Sequence, residues 1–410
     1  MEESKSLLKK SLDFVQGCCS PKHEMTTAND RKVICYYGSW SVYRPGLGKF
    51  DISHIDASLC THLIYAFAGL GESGEVKILD PWNDLPDGGG KDGYRKFNAL
   101  RKDNPELKTM IGMGGWNEGS SKYSSLATNE TMREKFADNV VEFLKKYGFN
   151  GFDLDWEYPC QRGGSPCDKE NFVQLLKTLR KRFDRESEQL VLSAAVASAE
   201  MSASKSYDIR AVCESLDFVN VMCYDLHGSW DKKTGVNAPL YPGTWETDYE
   251  KKLNVDSCIQ FWLSQGAPAE KLVLGVPFYG RGFTLANASQ SSGIGAPAYS
   301  GSEPGPYTRE AGMLGYNEIL EDIAKGWQVH FQEEQKVPYA VHGNQWVGYD
   351  DERSLKDKTD YIKKHGLGGA MAWSIETDDF LGTAGKKYPL LNVLHRELRG
   401  DGATYYTDYN

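Results

Sequence analysis

Asn150-Gly-Phe-Asp-Leu-Asp-Trp-Glu-Tyr-Pro159 carries a carboxylic acid at every second position from Asp153 to Glu157. Alternate side chains of a β-strand point to the same face, so a regular strand places Asp153, Asp155 and Glu157 on one side. In a closed parallel barrel that side is the interior. Glu157, nearest the carboxyl end of the strand, then lies where barrel enzymes build their active sites.

Three acids along the inside of a barrel are costly, because carboxylates repel one another and lose hydration when they are buried. An inward polar layer satisfied by neighbouring hydroxyl groups is the alternative, but nothing about stability favours three acids there. The pattern instead predicts a proton relay. Mutual repulsion raises the pKa of at least one acid, which keeps Glu157 protonated as a general acid.

Outward from this stretch, eight short apolar or β-branched runs predict strands. They are Val33–Gly38, His62–Ala68, Thr109–Gly114, Phe149–Glu157, Leu190–Ala197, Phe218–Tyr224, Leu272–Phe278 and Gly369–Ile375. Most of the intervals contain helical patterns, such as Met132–Tyr147 and Asn171–Phe183. This alternation predicts an α/β fold, a (β/α)8 TIM barrel. An open doubly wound sheet is the alternative, but no glycine-rich phosphate turn follows the first run.

The interval between the seventh and eighth runs is much longer than the others and is rich in Gly, Pro, Ser and Tyr. It predicts a small α+β domain inserted between strand 7 and strand 8. We therefore expect four parts, namely a lead segment 1–30, a catalytic barrel 31–280 and 346–400, an inserted domain 281–345, and a tail 401–410.

Composition limits the function classes. Hydrophobic residues make up 40% and charged residues 25% of the chain, which is typical of a packed globular protein. The formal net charge of −10 argues against a nucleic-acid partner and favours a neutral polymer as substrate. Since no run approaches eighteen apolar residues, we expect no membrane span. The N-terminus lacks the apolar core of a signal peptide.

The nine cysteines show no metal-ligand spacing, so we expect neither a metal nor a cofactor. Cys160 and Cys167 flank a Gly- and Pro-containing loop and could form a local disulfide. Cys35 and Cys60 lie at the ends of a strand–loop–helix unit and could also pair. Free buried thiols are the alternative, although an oxidising compartment favours both bridges.

The segment 150–157 resembles the D-x-x-D-x-D-x-E signature of family 18 glycoside hydrolases, the chitinases, and most closely the animal chitinases of insects and crustaceans. The resemblance extends from Val33 to about Arg399. Further matching segments are Tyr43-Arg-Pro-Gly-Leu-Gly-Lys-Phe50, Tyr65-Ala-Phe-Ala-Gly69, Gly114-Gly-Trp-Asn-Glu118, Met222-Cys-Tyr-Asp-Leu-His-Gly-Ser-Trp230, Tyr279-Gly-Arg-Gly-Phe283, Pro306-Tyr-Thr-Arg-Glu-Ala-Gly312 and Gly369-Ala-Met-Ala-Trp373. The long insertion resembles the chitinase insertion domain, which forms one wall of the substrate groove.

The resemblance implies retaining, substrate-assisted hydrolysis of chitin. Glu157 would protonate the glycosidic oxygen while the substrate's own acetamido carbonyl attacks the anomeric carbon, giving an oxazolinium ion. Asp155 would hold the acetamido N–H, and Asp153 would take up the proton or hydrogen bond of Asp155 in the resting state. Tyr224 would orient the acetamido carbonyl.

The resemblance also implies a set of sugar-binding residues around the groove. They are Tyr36, Phe67, Gly115, Trp116, Met222, Asp225, Trp230, Tyr279, Arg281, Glu310 and Trp373. It further implies an endo-acting, secreted, monomeric chitinase whose partners are chitin and N-acetylglucosamine oligomers.

The chain departs from the family pattern at several positions. Asn150 replaces the first acid of the signature, Gly112 stands where many members have Ser or Ala, and Glu376 and Thr377 follow the eighth strand where other residues are common. Two other functions are alternatives. One is a chitinase-like lectin, although such proteins typically lose the acid at the position of Glu157. The other is an endo-N-acetylglucosaminidase acting on glycoproteins, which could share the Asp-x-Asp-x-Glu core but not the insertion and the full set of groove aromatics.

Overall fold

The computed structural model describes residues 31–400. The predicted lead segment 1–30 and tail 401–410 lie outside these residues. Within them the chain forms fifteen β-strands. In chain order these are β1 (Lys32–Gly38), β2 (His62–Leu70), β3 (Val76–Ile78), β4 (Lys108–Gly114), β5 (Gly151–Asp155), β6 (Val191–Ala197), β7 (Phe218–Met222), β8 (Leu272–Pro277), β9 (Tyr279–Leu285), β10 (Ala298–Gly301), β11 (Met313–Gly315), β12 (Gln328–Gln332), β13 (Val337–His342), β14 (Gln345–Gly348) and β15 (Gly369–Trp373).

Eight of these strands close into a parallel barrel. The hydrogen-bonded order is β1-β15-β8-β7-β6-β5-β4-β2, and β1 pairs with β2 to complete the circle. The short strand β3 pairs antiparallel with the end of β2. The predicted (β/α)8 barrel is therefore confirmed, and each of the eight predicted runs overlaps a barrel strand.

The strand that carries the acids is shorter than predicted. β5 ends at Asp155, so Glu157 lies beyond the regular strand and not within it. The reason is that pairing with β6 stops at Leu154, while the carbonyl of Asp155 accepts the backbone N–H of Gly115 at 2.9 Å. The strict period of two therefore orients Asp153 and Asp155, whereas Glu157 is placed by the chain that follows.

The described helices surround the barrel, except α9, which lies beside the inserted sheet. They are α1 (Pro81–Asp84), α2 (Gly93–Ala99), α3 (Ser121–Thr128), α4 (Glu130–Tyr147), α5 (Asp168–Phe183), α6 (Glu200–Ser206), α7 (Ile209–Ser215), α8 (Val255–Ser264), α9 (Tyr316–Ala324), α10 (Glu352–Lys364) and α11 (Pro389–Arg399). Helix α4 shows why they form there. Asn129 caps its first turn, Gly148 ends it at a φ of 80°, and Phe136, Val140 and Leu144 share its buried face.

The apolar core lies in two layers, one on each side of the barrel wall. The inner cluster includes Ile34, Tyr36, Ile64 and Met371, and the outer one fills the space between strands and helices. Cys223 belongs to the outer layer. Successive side chains of a strand point to opposite sides, and the neighbouring Met222 faces inward.

A second, antiparallel sheet is inserted between β8 and β15. Its order is β10-β9-β14-β13-β12, with β11 paired to β9, and α9 lies beside it. Phe283, Val337 and Trp346 form part of its own apolar cluster. The sheet extends from Tyr279 to Gly348, slightly beyond the predicted limits of the inserted domain. The division of the chain into domains stays our proposal.

The four cysteines of the two predicted disulfides are free thiols in the structure. Cys60 and Cys35 are buried with their sulfur atoms 3.4 Å apart, a thiol contact longer than the ~2.05 Å of an S–S bond. Cys160 Sγ lies 3.5 Å from the carbonyl oxygen of Pro166, the residue before Cys167. The two bridges stay predictions. No helix within residues 31–400 is both long enough and apolar enough to span a membrane.

Candidate active site

Asp153 is fully buried inside the barrel and accepts three hydrogen bonds. Tyr36 donates to its Oδ2 at 2.6 Å, and Ser193 and Asn220 donate to its Oδ1 at 2.6 and 3.1 Å. Burial raises the pKa of Asp153, and these three donors oppose the rise because they stabilise the anion. Each donor comes from a different strand, so the carboxylate is rigidly held.

Asp155 lies one step nearer the mouth of the barrel and is much less well satisfied. Its exposed fraction is 4%, yet its Oδ1 has no hydrogen-bond partner. Burial raises its pKa well above the usual range, and the negative charges of Glu157 and Asp153 raise it further. This carboxyl is therefore ready to accept a donor from a ligand.

Glu157 is at the mouth and is 8% exposed. Burial raises its pKa to about 7, although a hydrogen bond from Tyr158 and the charge of Arg162 lower it. The pKa of Glu157 is therefore raised, as a general acid requires, and the main cause is burial. Repulsion between the stacked acids acts most strongly on Asp155.

An aromatic floor lies beside the three acids. Trp373, at the end of β15, stacks on Phe67 at 5.7 Å between ring centroids and contacts Tyr36 at 5.3 Å. Trp40 stacks on Phe67 at 6.3 Å and is 43% exposed. Such flat, half-exposed rings match the apolar faces of sugar rings. Sequence reasoning missed Trp40, although an aromatic residue directly after the carboxyl end of a barrel strand is a usable signal.

Tyr224 follows β7 and, like Met222, packs against the inner cluster. Its hydroxyl lies 3.9 Å from the sulfur of Met371, which is a weak acceptor. The ring of Tyr279 packs edge-on against Tyr224 at 6.2 Å. The Tyr224 hydroxyl is therefore oriented, and a stronger acceptor on a ligand could replace its weak bond to sulfur.

The opposite side of the mouth carries an ion pair. Asp225 Oδ1 accepts from Arg281 Nε and from the hydroxyl of Tyr279, both at 2.7 Å. The Arg281 guanidinium lies 5.3 Å from the ring of Trp230, which is 58% exposed, and the charge of Glu310 also acts on it. Since Arg281 belongs to β9, the inserted sheet contributes this wall.

Trp116 projects from a short 3-10 turn after β4 and is 57% exposed. Gly115 precedes it at a φ of 86°, and a Cβ there would lie 2.7 Å from the Phe67 ring. Glycine is therefore required both by the backbone conformation and by the close approach to the aromatic floor.

The positions that depart from the family pattern have defined environments. Asn150 Oδ1 accepts from the backbone N–H of Thr109 at 3.2 Å, at the entrance of β5 and away from the acids. Glu376 is fully buried and accepts from Gly38 N at 3.1 Å. A Cβ on Gly112 would meet Ile64 and Phe67 at 3.1 and 3.2 Å, so the inner layer is tightly packed there.

The structure brings the predicted site residues together around one barrel mouth. Sequence reasoning did not identify Ser193 and Asn220, which fix Asp153, or Arg162, which lies beside Trp116. Among the residues described, no group of three or more His, Cys, Asp or Glu side chains is arranged to hold a metal ion.

Comparison with known proteins gives a consistent result. The model of the glycosyl hydrolases family 18 matches residues 32–378. An endochitinase of Manduca sexta is 43% identical over 376 residues, covering 90% of this chain and 67% of that protein. The crystal structure of Ostrinia furnacalis Group IV chitinase in complex with allosamidin has a TM-score of 0.87 at 42% identity, covering 92% of this chain and 100% of that one. Human YKL-39, described as a pseudo-chitinase with retained chitooligosaccharide binding properties, has a TM-score of 0.82 at 36% identity, covering 90% and 99%.

Proposed function

Because the chain belongs to glycosyl hydrolases family 18, we propose that it is a chitinase, which hydrolyses the β-1,4 linkages between N-acetylglucosamine units with retention. The observation that carries this proposal is the buried carboxyl of Glu157, with a pKa raised to about 7, beside the unpartnered oxygen of Asp155. A general acid needs a pKa near the working pH, and Glu157 meets that requirement.

In the proposed first step, protonated Glu157 gives its proton to the glycosidic oxygen as the bond to the anomeric carbon breaks. The acetamido carbonyl oxygen of the same sugar forms the new bond to that carbon, which yields an oxazolinium ion. Tyr224 donates its hydroxyl to this carbonyl oxygen, and Asp155 accepts the acetamido N–H. In the second step, Glu157 is a carboxylate and takes a proton from the water that attacks the anomeric carbon. The bond from that carbon to the acetamido oxygen breaks, which opens the oxazolinium ring.

The assignment of the nucleophile to the substrate rests on the hydrogen bonding of Asp153. Its oxygens already accept from Tyr36, Ser193 and Asn220, so it has little capacity to attack a carbon atom. Asp155 has an unpartnered oxygen that can accept an N–H, but its strongly raised pKa disfavours the anionic form that a nucleophile needs. This arrangement supports substrate assistance over a covalent glycosyl-enzyme intermediate.

A chitin-binding lectin of the same fold is the second candidate, since human YKL-39 is described as a pseudo-chitinase. Retention of Glu157 in a site that raises its pKa favours the enzyme. The proposed partners are chitin and N-acetylglucosamine oligomers. We propose that it acts outside the cell, where chitin occurs. We also propose that it acts as a monomer, since one chain supplies every wall of the groove described above.

The test is hydrolysis of N-acetylglucosamine oligomers by the parent protein and by Glu157→Gln. The amide keeps the shape of the side chain but has no proton to give, so we expect binding to persist and turnover to fall by at least about 10²–10⁴-fold. Near-normal turnover by Glu157→Gln would disprove the assigned role. Binding without turnover by the parent would favour the lectin.

A further inference from the structure

The loop that follows the acid carries an arginine in a costly backbone conformation. Arg162 has a φ of 50°, a region that non-glycine residues rarely adopt. The loop is anchored beneath it, because the fully buried Asp168 accepts from the backbone N–H groups of Cys160 and Ser165 at 3.1 and 2.8 Å. A strained residue on an anchored loop beside a catalytic acid points to a positional requirement.

Arg162 meets that requirement by contacting two separate segments of the mouth. Its guanidinium lies over the Trp116 ring, 3.5 Å from the centroid. Its Nη1 donates to two carbonyl oxygens, that of Trp116 at 2.9 Å and that of Glu157 at 3.0 Å. One side chain thus joins the segment that holds the acid to the segment that holds the exposed ring.

Trp116 needs such support because the glycine residues around it give its backbone access to many conformations. The turn that carries it is bounded by Gly114, Gly115 and Gly119, all at positive φ. Within residues 31–400, no other aromatic ring or cation stacks on this indole. Since Trp116 remains 57% exposed, the guanidinium covers part of the ring and leaves the remainder to a ligand.

We propose that Arg162 is a positioning residue, which holds Trp116 at a fixed distance from Glu157 so that the exposed part of the ring receives a sugar unit next to the scissile bond. This inference rests on the proposed function. The same contact places a permanent positive charge near Glu157, and that charge lowers the pKa of the acid. Removal of the charge therefore raises this pKa and moves the alkaline limb of the pH–rate profile to higher pH.

The experiment compares the parent with Arg162→Asn, Arg162→Lys, Trp116→Ala and the Arg162→Asn/Trp116→Ala double variant. Asparagine tolerates positive φ, so Arg162→Asn removes the stack and the charge without a new backbone cost. Lys336→Asn is the matched control, since Lys336 is a basic residue at a φ of 59° in the hairpin between β12 and β13. Thermal midpoints establish that every variant is folded.

With chitohexaose, we expect Arg162→Asn to lower kcat/KM by about fivefold to tenfold, mainly through KM, as loss of an exposed cation–π contact and a fixed ring predicts. The double variant should be no worse than Trp116→Ala. The alkaline limb should move to higher pH in Arg162→Asn but not in Arg162→Lys, and Lys336→Asn should match the parent.

Additive losses in the double variant, or a kcat/KM of Arg162→Asn within about twofold of the parent, would overturn the inference, because coupled residues give non-additive effects. An unchanged alkaline limb in Arg162→Asn would also overturn it. If the parent itself released no sugar, the proposed function would fail. The coupling between Arg162 and Trp116 would then be read from calorimetric binding of chitohexaose by the same proteins.

Discussion

Glu157→Gln is expected to stabilise the fold, and to do so more at pH 8 than at pH 5. The folded protein holds the Glu157 proton with a pKa of about 7, whereas the ordinary value for this group is 4.5. The folded state therefore binds the proton more tightly than the unfolded state. Stability falls as the pH rises from about 4.5 to about 7 and is then constant with respect to this group.

The size of the effect follows from the two pKa values. Burial of this carboxyl costs about 3 kcal/mol of folding free energy at pH 8 and about 1 kcal/mol at pH 5. Gln cannot ionise, so the variant avoids the pH-dependent part of this cost. Removal of the Glu157 charge also relieves the repulsion on Asp155, which acts in the same direction.

The assay is urea unfolding of parent and variant at both pH values. ΔΔG is the free energy of unfolding of the variant minus that of the parent. We expect it to be about 2 kcal/mol larger at pH 8 than at pH 5. Glu72→Gln, at an exposed surface position, is the control and should show no such difference. An equal ΔΔG at both pH values, or a variant that loses stability at pH 8, would refute the account of how burial keeps the acid protonated.

Three further results are expected. The kcat/KM for chitin oligomers should fall by about tenfold between pH 6 and pH 8 as Glu157 loses its proton, and a fall centred below pH 5 would be inconsistent with the burial of Glu157. Asn150→Asp should keep turnover within about threefold of the parent, since either side chain has an oxygen to accept from Thr109, and a gain of tenfold or more would place Asn150 in the catalytic machinery. Mass mapping of non-reduced peptides from protein folded under oxidising conditions should find Cys35–Cys60 and Cys160–Cys167 bridges, and four free thiols would reject both.

The barrel could be predicted from the sequence because its buried strands appear as short apolar runs that alternate with helical patterns. β1 and β15 lie within a residue or two of the predicted limits, and the inserted sheet occupies the long interval before β15. The orientation of Asp153 and Asp155 followed from the period of two along a strand. The orientation of Glu157 did not follow from this period, because the strand ends before it and the geometry of the following loop sets its position.

The donors to Asp153 depend on register, which a single sequence does not reveal. Ser193 lies directly opposite Asp153 in the β5–β6 pairing, and Asn220 reaches the same carboxylate from β7. A polar residue at an inward position of a barrel strand was the available signal. The sequence carried no comparable signal for Arg162. Its role depends on the path of its loop and on the approach of Trp116 from the turn after β4.

Analysis of the first products from a chitin oligomer tests substrate assistance most directly. The anomeric form of the newly released reducing end is followed by NMR spectroscopy at early times, and a fully deacetylated oligomer is examined in parallel. The mechanism proposed here predicts the β-anomer and no cleavage of the deacetylated oligomer, because the acetamido group supplies the nucleophile. Initial release of the α-anomer, or ready cleavage of the deacetylated oligomer, would contradict it.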